Sequence, residues 1–246
     1  MPTVADNFCI RTDYTSRSVS TTLEDESNVG SYWTPERLES SLSYQYDVYR
    51  LAYQMASKRV GPVRLLDVGC GPARKHVDFI DQFSDVRVSL VDQPSVARLA
   101  KDYLPAVSFY PLDLETSEAS LGCQFDIVLC ADVIEHLVNP DRCVEFICRH
   151  THQDGIVIIS TPERNRLYGR KMRESGHPHH VREWSRGEFL KYLESRGLQV
   201  DRHRIVHQKQ TGAVARMLDP VLDRLGIHRR SFSCQLAICT VGSRIQ

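Results

Sequence analysis

One short stretch limits what this chain can fold into more than any other. Residues 65–73 read Leu-Leu-Asp-Val-Gly-Cys-Gly-Pro-Ala, so an apolar run ends at two glycines, Gly69 and Gly71. A helical pattern begins after Pro72. A strand, a tight turn and a helix in this order bring the backbone close to a nucleotide. The stretch therefore predicts a nucleotide-type site at the end of the first strand of a sheet.

Short apolar runs alternate with helical patterns along the rest of the chain. The runs are continuously hydrophobic, which is typical of parallel strands covered on both faces of the sheet. This order predicts an α/β fold, a Rossmann-like doubly wound seven-stranded sheet with helices on both faces. The predicted strands are 63–68, 86–91, 107–110, 125–130, 155–160, 198–206 and 234–241.

The chain divides into three predicted parts. Residues 1–28 are rich in Ser, Thr and Asp, and we predict a flexible segment there. Residues 29–60 carry apolar and aromatic residues at helical spacing, which predicts a helical N-terminal extension able to act as a lid. Residues 61–246 form the predicted main domain. Within it, residues 162–184 carry little apolar pattern and are predicted to be an insertion that faces the substrate.

The composition excludes several classes of partner. Lys plus Arg and Asp plus Glu both number 31, so no global charge favours nucleic acid or a membrane. No apolar run approaches the ~20 residues that span a bilayer. The eight cysteines form no Cys-x-x-Cys pair and no zinc-ligand spacing. We therefore expect a small-molecule partner, no nucleic acid, no membrane, and a reduced, cytoplasmic compartment.

Acidic residues accompany three successive predicted strands. Asp67 lies two residues before Gly69, and Asp92 closes the second strand, where a carboxylate can accept hydrogen bonds from both ribose hydroxyls. Asp113 follows the third strand and could accept from an exocyclic amine such as that of adenine. A P-loop is excluded because no Gly-Lys-Ser/Thr follows, and Arg74 stands where a dinucleotide motif has its third glycine.

From Val63 to Thr161 the chain resembles the class I S-adenosylmethionine-dependent methyltransferases. Residues 65–71 resemble the first motif of that family, with Ala73 at its usual third glycine, and residues 125–137 resemble the fourth. The resemblance implies S-adenosylmethionine as the cofactor and S-adenosylhomocysteine as its product. The cofactor-binding residues expected on this basis are Asp67, Gly69, Cys70, Gly71, Arg74, Asp92, Gln93, Asp113, Leu114 and Ala131.

The Glu135-His136 pair indicates a subgroup within this family. It is similar to the subgroup that methylates hydroxyls of small molecules, which includes ubiquinone-biosynthesis O-methyltransferases. We expect His136 and Glu135 to be catalytic, because an imidazole of ordinary pKa, about 6.5, can accept a hydroxyl proton near neutral pH. The structural alternative is that His136 packs under the cofactor. A divalent metal on Asp132, Glu135 and His136, as in some relatives, is the less favoured alternative.

The predicted insertion is strongly basic. Six Lys and Arg residues between positions 164 and 182 accompany one acid, Glu174, and three histidines. Arginine suits phosphate and carboxylate groups, so we expect an anionic acceptor such as a sugar derivative, or another specialised metabolite. The plain alternative is that these arginines pair with acids elsewhere in the fold. The expected substrate-binding residues are Tyr46, Arg164, Arg166 and His180.

The sequence therefore predicts an enzyme that transfers a methyl group from S-adenosylmethionine to a hydroxyl of a small molecule. N-methylation of an amino sugar or another amine stays open, because the fold would be the same. An NAD-dependent oxidoreductase is the alternative from another class, and the strand-end Asp67 and Arg74 disfavour it.

Overall fold

A computed structural model describes residues 7–18, 32–116 and 118–242 of the chain. Its seven strands form one sheet. The strands are β1 (Val63–Val68), β2 (Val86–Asp92), β3 (Ser108–Pro111), β4 (Phe125–Ala131), β5 (Thr151–Pro162), β6 (Leu198–Val206) and β7 (Cys234–Val241). The helices are α1 (Pro35–Ser41), α2 (Tyr46–Ala56), α3 (Arg74–Ile80), α4 (Ala97–Tyr103), α5 (Pro140–His150), α6 (Arg164–Tyr168), α7 (Arg186–Ser195) and α8 (Ala213–Arg224).

The strand order is β3-β2-β1-β4-β5-β7-β6. The pairs from β3 to β5 are parallel, whereas β7 lies antiparallel between β5 and β6. This arrangement confirms the predicted Rossmann-like doubly wound fold. Because the first four strands are parallel, the segments that follow them meet at one edge of the sheet.

The sheet separates two hydrophobic clusters. Leu66 and Val68 of β1 lie in one cluster, and Val63 and Leu65 lie in the other. Alternate residues of a strand point to opposite faces, so each face of β1 is covered by apolar side chains. This double burial is the physical reason that the strands are continuous apolar runs in the sequence.

Local sequence signals explain where several helices begin. The Thr34 hydroxyl accepts a hydrogen bond from the Arg37 amide at 3.4 Å, and Pro35 occupies the first turn of α1. Ser185 and Glu188 form a capping box at the start of α7. These caps satisfy amide groups that have no partner inside the helix.

The N-terminal segment differs in part from the prediction of a flexible segment over residues 1–28. Residues 7–18 contain no helix or strand, but Ile10 and Tyr14 are buried. The indole Nε1 of Trp184 donates to the Phe8 carbonyl oxygen at 2.9 Å. Burial of these side chains holds this irregular segment against the domain. Positions 1–6 and 19–28 of the predicted segment lie outside the described residues.

The predicted helical extension over residues 29–60 is present as α1 and α2 in its described part, which begins at Tyr32. Four α2 residues, Val48, Tyr49, Ala52 and Tyr53, are at most 1% exposed. This helix therefore belongs to a core layer, and the lid role stays a prediction for α1 and its flanks. Within the described chain, no helix combines the length and apolar character that crossing a bilayer requires.

Candidate functional site

A cavity of about 280 Å³ lies where the carboxyl ends of β1 to β4 meet. Its walls come from α1, the turns after these strands, and the insertion that follows β5. The structure thus brings together most of the residues that the sequence singled out. Those lining the cavity are Gly69, Cys70, Gly71, Asp92, Gln93, Asp113, Leu114, Ala131, Asp132, His136 and His180.

The glycine turn after β1 needs its two glycines for different reasons. Both have positive φ angles, +77° at Gly69 and +54° at Gly71, in the left-handed region that L side chains avoid. A Cβ atom on Gly69 would overlap the side chain of Val133. A Cβ atom on Gly71 would lie 2.9 Å from Cζ2 of Trp33. The turn is therefore packed closely between the β4 loop and the segment before α1.

Asp92 at the end of β2 faces this turn. Its Oδ2 accepts from the Gly71 amide at 2.6 Å, and its Oδ1 accepts from the Gln93 amide at 2.7 Å. Burial raises the pKa of Asp92 to about 6, although the two amide bonds oppose this shift. Each carboxylate oxygen can still accept a second hydrogen bond. The side chain is therefore oriented to accept bonds from two hydroxyls of a ligand in the cavity.

Asp113 lines the cavity beyond Asp92. Its Oδ1 accepts from the Glu115 amide at 2.9 Å, and its Oδ2 accepts from the Thr116 hydroxyl at 3.1 Å. The carboxylate therefore closes its own turn while it borders the cavity. Leu114 adds an apolar wall at the same end.

Asp67 differs from the expected role as a direct cofactor ligand, because it does not line the cavity. It is fully buried, and its Oδ2 accepts from the Tyr49 hydroxyl at 2.8 Å and from His76 Nε2 at 2.9 Å. His76 Nδ1 in turn lies 2.8 Å from the Tyr53 hydroxyl. Asp67 therefore joins β1 to α2 and α3, and His76, to which the sequence assigned nothing, is part of this connection.

The expected cofactor contact of Arg74 is also corrected. Arg74 does not line the cavity; it donates to the Leu38 carbonyl oxygen at 2.6 Å, and its guanidinium lies over the Tyr103 ring at 4.8 Å. The next residue, Lys75, lines the cavity instead, with its ammonium 4.6 Å from the centre of the Tyr49 ring. One residue turns a helix by about 100°, so the phase of α3 decides which cation faces the site.

The loop after β4 provides the acidic part of the site. Asp132 has a φ angle of +63°, which is strained for a residue with a side chain, and it lines the cavity. Glu135 is buried behind it and is absent from the cavity wall, and its Oε2 accepts from the Thr161 hydroxyl at 2.9 Å. Burial and the nearby Asp132 raise the pKa of Glu135 well above its usual value.

His136 reaches the cavity from the same loop. Its Nδ1 donates to the His179 carbonyl oxygen at 2.8 Å, which makes Nε2 the ring nitrogen that carries the lone pair. Burial lowers the pKa of His136 to about 3, and His180 contributes to this shift. The imidazole is therefore neutral at physiological pH, and its pKa differs from the ordinary value that the sequence suggested.

His180 lies beside His136, with ring centres 4.7 Å apart and planes at 86°. Its Nδ1 bonds to Glu183 Oε1 at 2.7 Å. The Glu183 carboxylate is buried and also accepts from the Ser175 hydroxyl at 2.5 Å. A buried carboxylate therefore orients His180 in the way that carboxylates orient catalytic imidazoles. The sequence predicted a substrate contact for His180 and did not identify Glu183, although the two are three residues apart.

A candidate set of metal ligands is also present in the described residues. Glu135, His136 and His180 each offer a ligand atom, and these atoms lie within 4.8 Å of one another. A carboxylate and two imidazoles suit a divalent transition metal. This set contains His180 where the sequence-based alternative has Asp132.

The arginines of the insertion do not form the expected anion site. Arg164 is buried and pairs with Glu188 at 2.7 Å, and Arg166 pairs with Asp223 at 2.5 Å. Neither lines the cavity, and Tyr46 instead packs against Phe79 at 5.1 Å between ring centres. Because these two arginines are paired within the protein, they supply no reason to expect an anionic acceptor.

Replacing Arg164 with methionine tests this structural role. We expect the free energy of unfolding to fall by about 3 kcal/mol, because breaking a buried pair leaves the Glu188 carboxylate uncompensated. We expect the affinity for the cofactor to be unchanged, since Arg164 lies outside the cavity. Chemical denaturation and calorimetric titration measure the two quantities. Arg170→Met, an exposed arginine of the same stretch, is the control and should alter neither; equal destabilisation by both would contradict the assignment.

Several cavity residues were not identified from the sequence. Tyr32 covers the guanidinium of Arg37 at 4.2 Å and contacts His179 at 5.4 Å between ring centres, so α1 and the insertion meet over the cavity. The aromatic pair at positions 32 and 33, just before a helix start, was the available signal. The residues missed include Tyr32, Trp33, Arg37, Gln45, Tyr49, Lys75 and His177.

Comparison with known proteins identifies the family to which this chain belongs. A family model described as a methyltransferase domain matches residues 40–203, which is more than half of the chain. The chain therefore belongs to the methyltransferase-domain family, and it has the class I fold of S-adenosylmethionine-dependent methyltransferases. This result sets aside the alternative of an NAD-dependent oxidoreductase.

The curated relatives are distant. A ubiquinone biosynthesis O-methyltransferase of Pseudomonas aeruginosa is 26% identical over 132 residues, covering 52% of this chain and 57% of the relative. One of Rickettsia akari is 24% identical over 143 residues, covering 54% of this chain and 56% of the relative. The chain therefore matches little more than half the length of these relatives.

Solved structures share the fold. The 1,6-didemethyltoxoflavin-N1-methyltransferase of Burkholderia thailandensis, solved with S-adenosylhomocysteine, superposes with a TM-score of 0.56 at 16% identity. The match covers 89% of this chain and 87% of that one. These neighbours include enzymes that methylate nitrogen, so the fold alone does not separate O- from N-methylation.

The cavity residues fit S-adenosylmethionine. Asp92 keeps acceptor capacity for two hydroxyls, as a ribose requires, and the glycine turn admits close approach of the ligand to the backbone. Asp132 places a carboxylate in the same cavity, and although burial opposes the shift, its hydrogen bond with Glu135 and the nearby Lys75 ammonium help to keep its pKa below the usual value. An ionised carboxylate complements a sulfonium cation.

Proposed function

We propose that this enzyme methylates a hydroxyl group of a small aromatic molecule, such as a phenol or a catechol. The observation that carries the proposal is the pair of imidazoles, His136 and His180, in the same cavity as the glycine turn and Asp92. A hydroxyl acceptor must lose its proton as it is methylated, and a neutral imidazole can accept that proton. The curated relatives carry O-methyltransferase in their names, which supports the same choice.

Different residues of the cavity would hold the two ends of the cofactor. Asp92 and Asp113 would hold the nucleoside part of the cofactor, and Lys75 would face its amino-acid part. S-adenosylmethionine, when bound, supplies a methyl group already activated on a sulfonium. The protein therefore has to align the acceptor oxygen with that methyl group and exclude water.

His136 is the proposed general base. Its Nδ1 is held by the His179 carbonyl oxygen, so Nε2 is the nitrogen that would accept the hydroxyl proton. The Asp132 carboxylate raises the proton affinity of His136, although burial and His180 lower it more strongly. The imidazolium formed by proton transfer would therefore be stabilised by Asp132. His180, oriented by Glu183, is the second imidazole that can share the hydrogen bond of the acceptor.

The weak basicity of His136 favours an acidic hydroxyl. Burial lowers the pKa of His136, and such a weak base removes a proton more readily from a phenol than from an aliphatic alcohol, which is much less acidic. The cavity wall also contains flat rings from Tyr32, Trp33, Tyr44 and His177, against which a planar acceptor can pack. These features replace the basic insertion as the guide to the acceptor.

A panel of acceptors tests the proposal. The purified enzyme is incubated with methyl-labelled cofactor and with phenols, catechols, sugar alcohols and amines of similar size, and the products are identified by mass spectrometry. We expect label on phenolic oxygen only. Label on nitrogen, or on sugar hydroxyls alone, would overturn the proposal. Calorimetric binding of the unlabelled cofactor serves as the control for a folded enzyme.

Replacing Lys75 with methionine tests the proposed amino-acid end. We expect the Kd for S-adenosylhomocysteine to rise about tenfold, as expected for the loss of one bond to a charged group. Binding of 5′-methylthioadenosine, which lacks the amino-acid part, should be unchanged. Lys101→Met, an exposed lysine on α4, is the control. Equal weakening of both ligands by Lys75→Met would place the lysine elsewhere.

The metal alternative has a separate test. We expect activity to survive a chelator, because His136 alone provides the base that the reaction needs. Loss of activity on chelation, with recovery on adding Mg²⁺ or Mn²⁺, would instead favour a metal on Glu135, His136 and His180.

A further inference from the structure

Helix α8 contacts the rest of the protein through its polar face, whereas a helix of the core buries its apolar face. Val214 and Met217 of this helix and Leu225 at its C-cap are 70%, 74% and 72% exposed, and Leu218 and Val221 are about half exposed. Their spacing places all five within about a third of the helix circumference. Ile227, also exposed, follows the helix end. We call the surface formed by these six residues the α8 apolar stripe.

The opposite face of α8 holds the helix in place through charged groups. Asp219 is 2% exposed, and its carboxylate lies 2.9 Å from His207 Nε2 and 3.2 Å from Arg229. Asp223 pairs with Arg166 at 2.5 Å. Asp219 is the one buried residue of this helix, so α8 contributes little apolar surface to the core. Because the polar face of this amphipathic helix contacts the protein, its apolar face is exposed and available to an external partner.

The charge around the α8 apolar stripe indicates which partner. Residues 207–230 contain five Lys or Arg and two Asp, in a chain whose total charge is zero. Both aspartates are paired on the inner face, Asp219 with Arg229 among others, whereas Arg224 and Arg230 are exposed near the stripe in the chain. Aliphatic residues flanked by arginines are typical of helices that lie in the interface of an anionic membrane. A second copy of this chain would bring the same positive charges together, which disfavours self-association.

The segment that precedes α8 is hydrogen-bonded to the wall of the cavity. The Gln45 amide donates to the Gln208 carbonyl oxygen at 2.8 Å, and the Gln210 amide donates to the Ser43 carbonyl oxygen at 2.7 Å. Tyr44 and Gln45 line the cavity, so the segment that leads into α8 is paired with the cavity wall.

We propose that the α8 apolar stripe and its flanking arginines bind the surface of a bilayer that contains anionic phospholipid. The sequence-based expectation of no membrane partner rested on the absence of a membrane-spanning apolar run, which does not test this mode of binding. A helix lying in the interface needs one apolar face and flanking cations, whereas the sequence criterion required a run of ~20 apolar residues. The proposal is independent of the acceptor.

Vesicle flotation tests the proposal with the full chain. Vesicles of phosphatidylcholine, with and without roughly one-third phosphatidylglycerol, are the probes. We expect the protein to float with the anionic vesicles and to bind neutral ones about tenfold less, with added salt weakening the binding. The double variant Met217→Ser, Val221→Ser should lose binding. The double variant Arg224→Glu, Arg230→Glu should lose the preference for phosphatidylglycerol.

The control replaces two exposed valines outside the stripe, Val60→Ser with Val77→Ser, and should bind like the unmodified protein. Circular dichroism and cofactor titration verify that each variant folds. Failure of the unmodified protein to bind anionic vesicles would overturn the proposal. A lipid-independent dimer that Met217→Ser, Val221→Ser converts to monomer would also overturn it and assign the stripe to self-association.

Discussion

Replacing His136 with alanine should lower kcat by roughly 100-fold to 10,000-fold, the usual contribution of a positioned general base. The Kd for the cofactor should stay nearly constant, because the proposed cofactor contacts, Asp92 and the glycine turn, do not involve His136. The reason lies in the geometry, since His136 presents its Nε2 lone pair while its Nδ1 is fixed by His179. Steady-state kinetics on the acceptor found in the panel, with calorimetry for the cofactor, measure both quantities.

A matched variant separates catalysis from packing. His228→Ala removes an exposed histidine far along the chain and should leave kcat unchanged. Glu183→Gln keeps the shape beside His180 but removes the charge that orients it, and we expect an intermediate loss of kcat. If His136→Ala kept full kcat, the imidazole would be a packing residue, and the proposed proton transfer would be wrong.

Replacing Asp92 with asparagine should raise the Kd for S-adenosylhomocysteine about 100-fold. Hydrogen bonds to an ionised group contribute about 1.5–3 kcal/mol each, and the neutral amide weakens or loses both that a ribose would make. Asparagine also accepts through one oxygen only, so either the Gly71 or the Gln93 amide loses its partner. Asp102→Asn, an exposed acid on α4, is the control. A Kd within twofold of the original would remove Asp92 from the proposed ribose site.

The raised pKa of Asp92 predicts a pH dependence of the same binding step. Both carboxylate oxygens accept strong hydrogen bonds from two ligand hydroxyls only when Asp92 is ionised, and its pKa is about 6. Affinity for the cofactor should therefore be complete above pH 7 and fall as the pH drops through 6. We expect about a tenfold weaker Kd at pH 5 than at pH 7. Asp92→Asn should show no such dependence, and a flat profile for the unmodified protein would contradict the assignment.

Much of the fold and of the nucleotide end of the cavity was readable from the sequence. The strands were visible because parallel strands buried on both faces are continuous apolar runs. The glycine turn, Asp92, Asp113 and the loop from Asp132 to His136 were predicted to meet, because each follows a strand end and parallel strands end at one edge.

Roles that depend on the direction of a side chain could not be predicted from the sequence. Arg74 and Lys75 are adjacent cations, and only the phase of α3 shows that Lys75 faces the cavity. The charge of Arg164 suggested an anion site, but its partner Glu188 is 24 residues away in the chain. Pattern analysis detects neither relation, because both depend on how elements pack.

The sequence by itself thus determined the sheet, the edge where the site lies, and the cofactor class. These follow from local periodicity and from residues at strand ends, which a linear pattern records. The tertiary structure alone decided that Asp67 is a buried connector, that His136 is a neutral imidazole beside His180, and that α8 turns its apolar face outward. Each of these depends on burial and on partners distant in sequence, and burial sets both the pKa of a group and the surface that it leaves exposed.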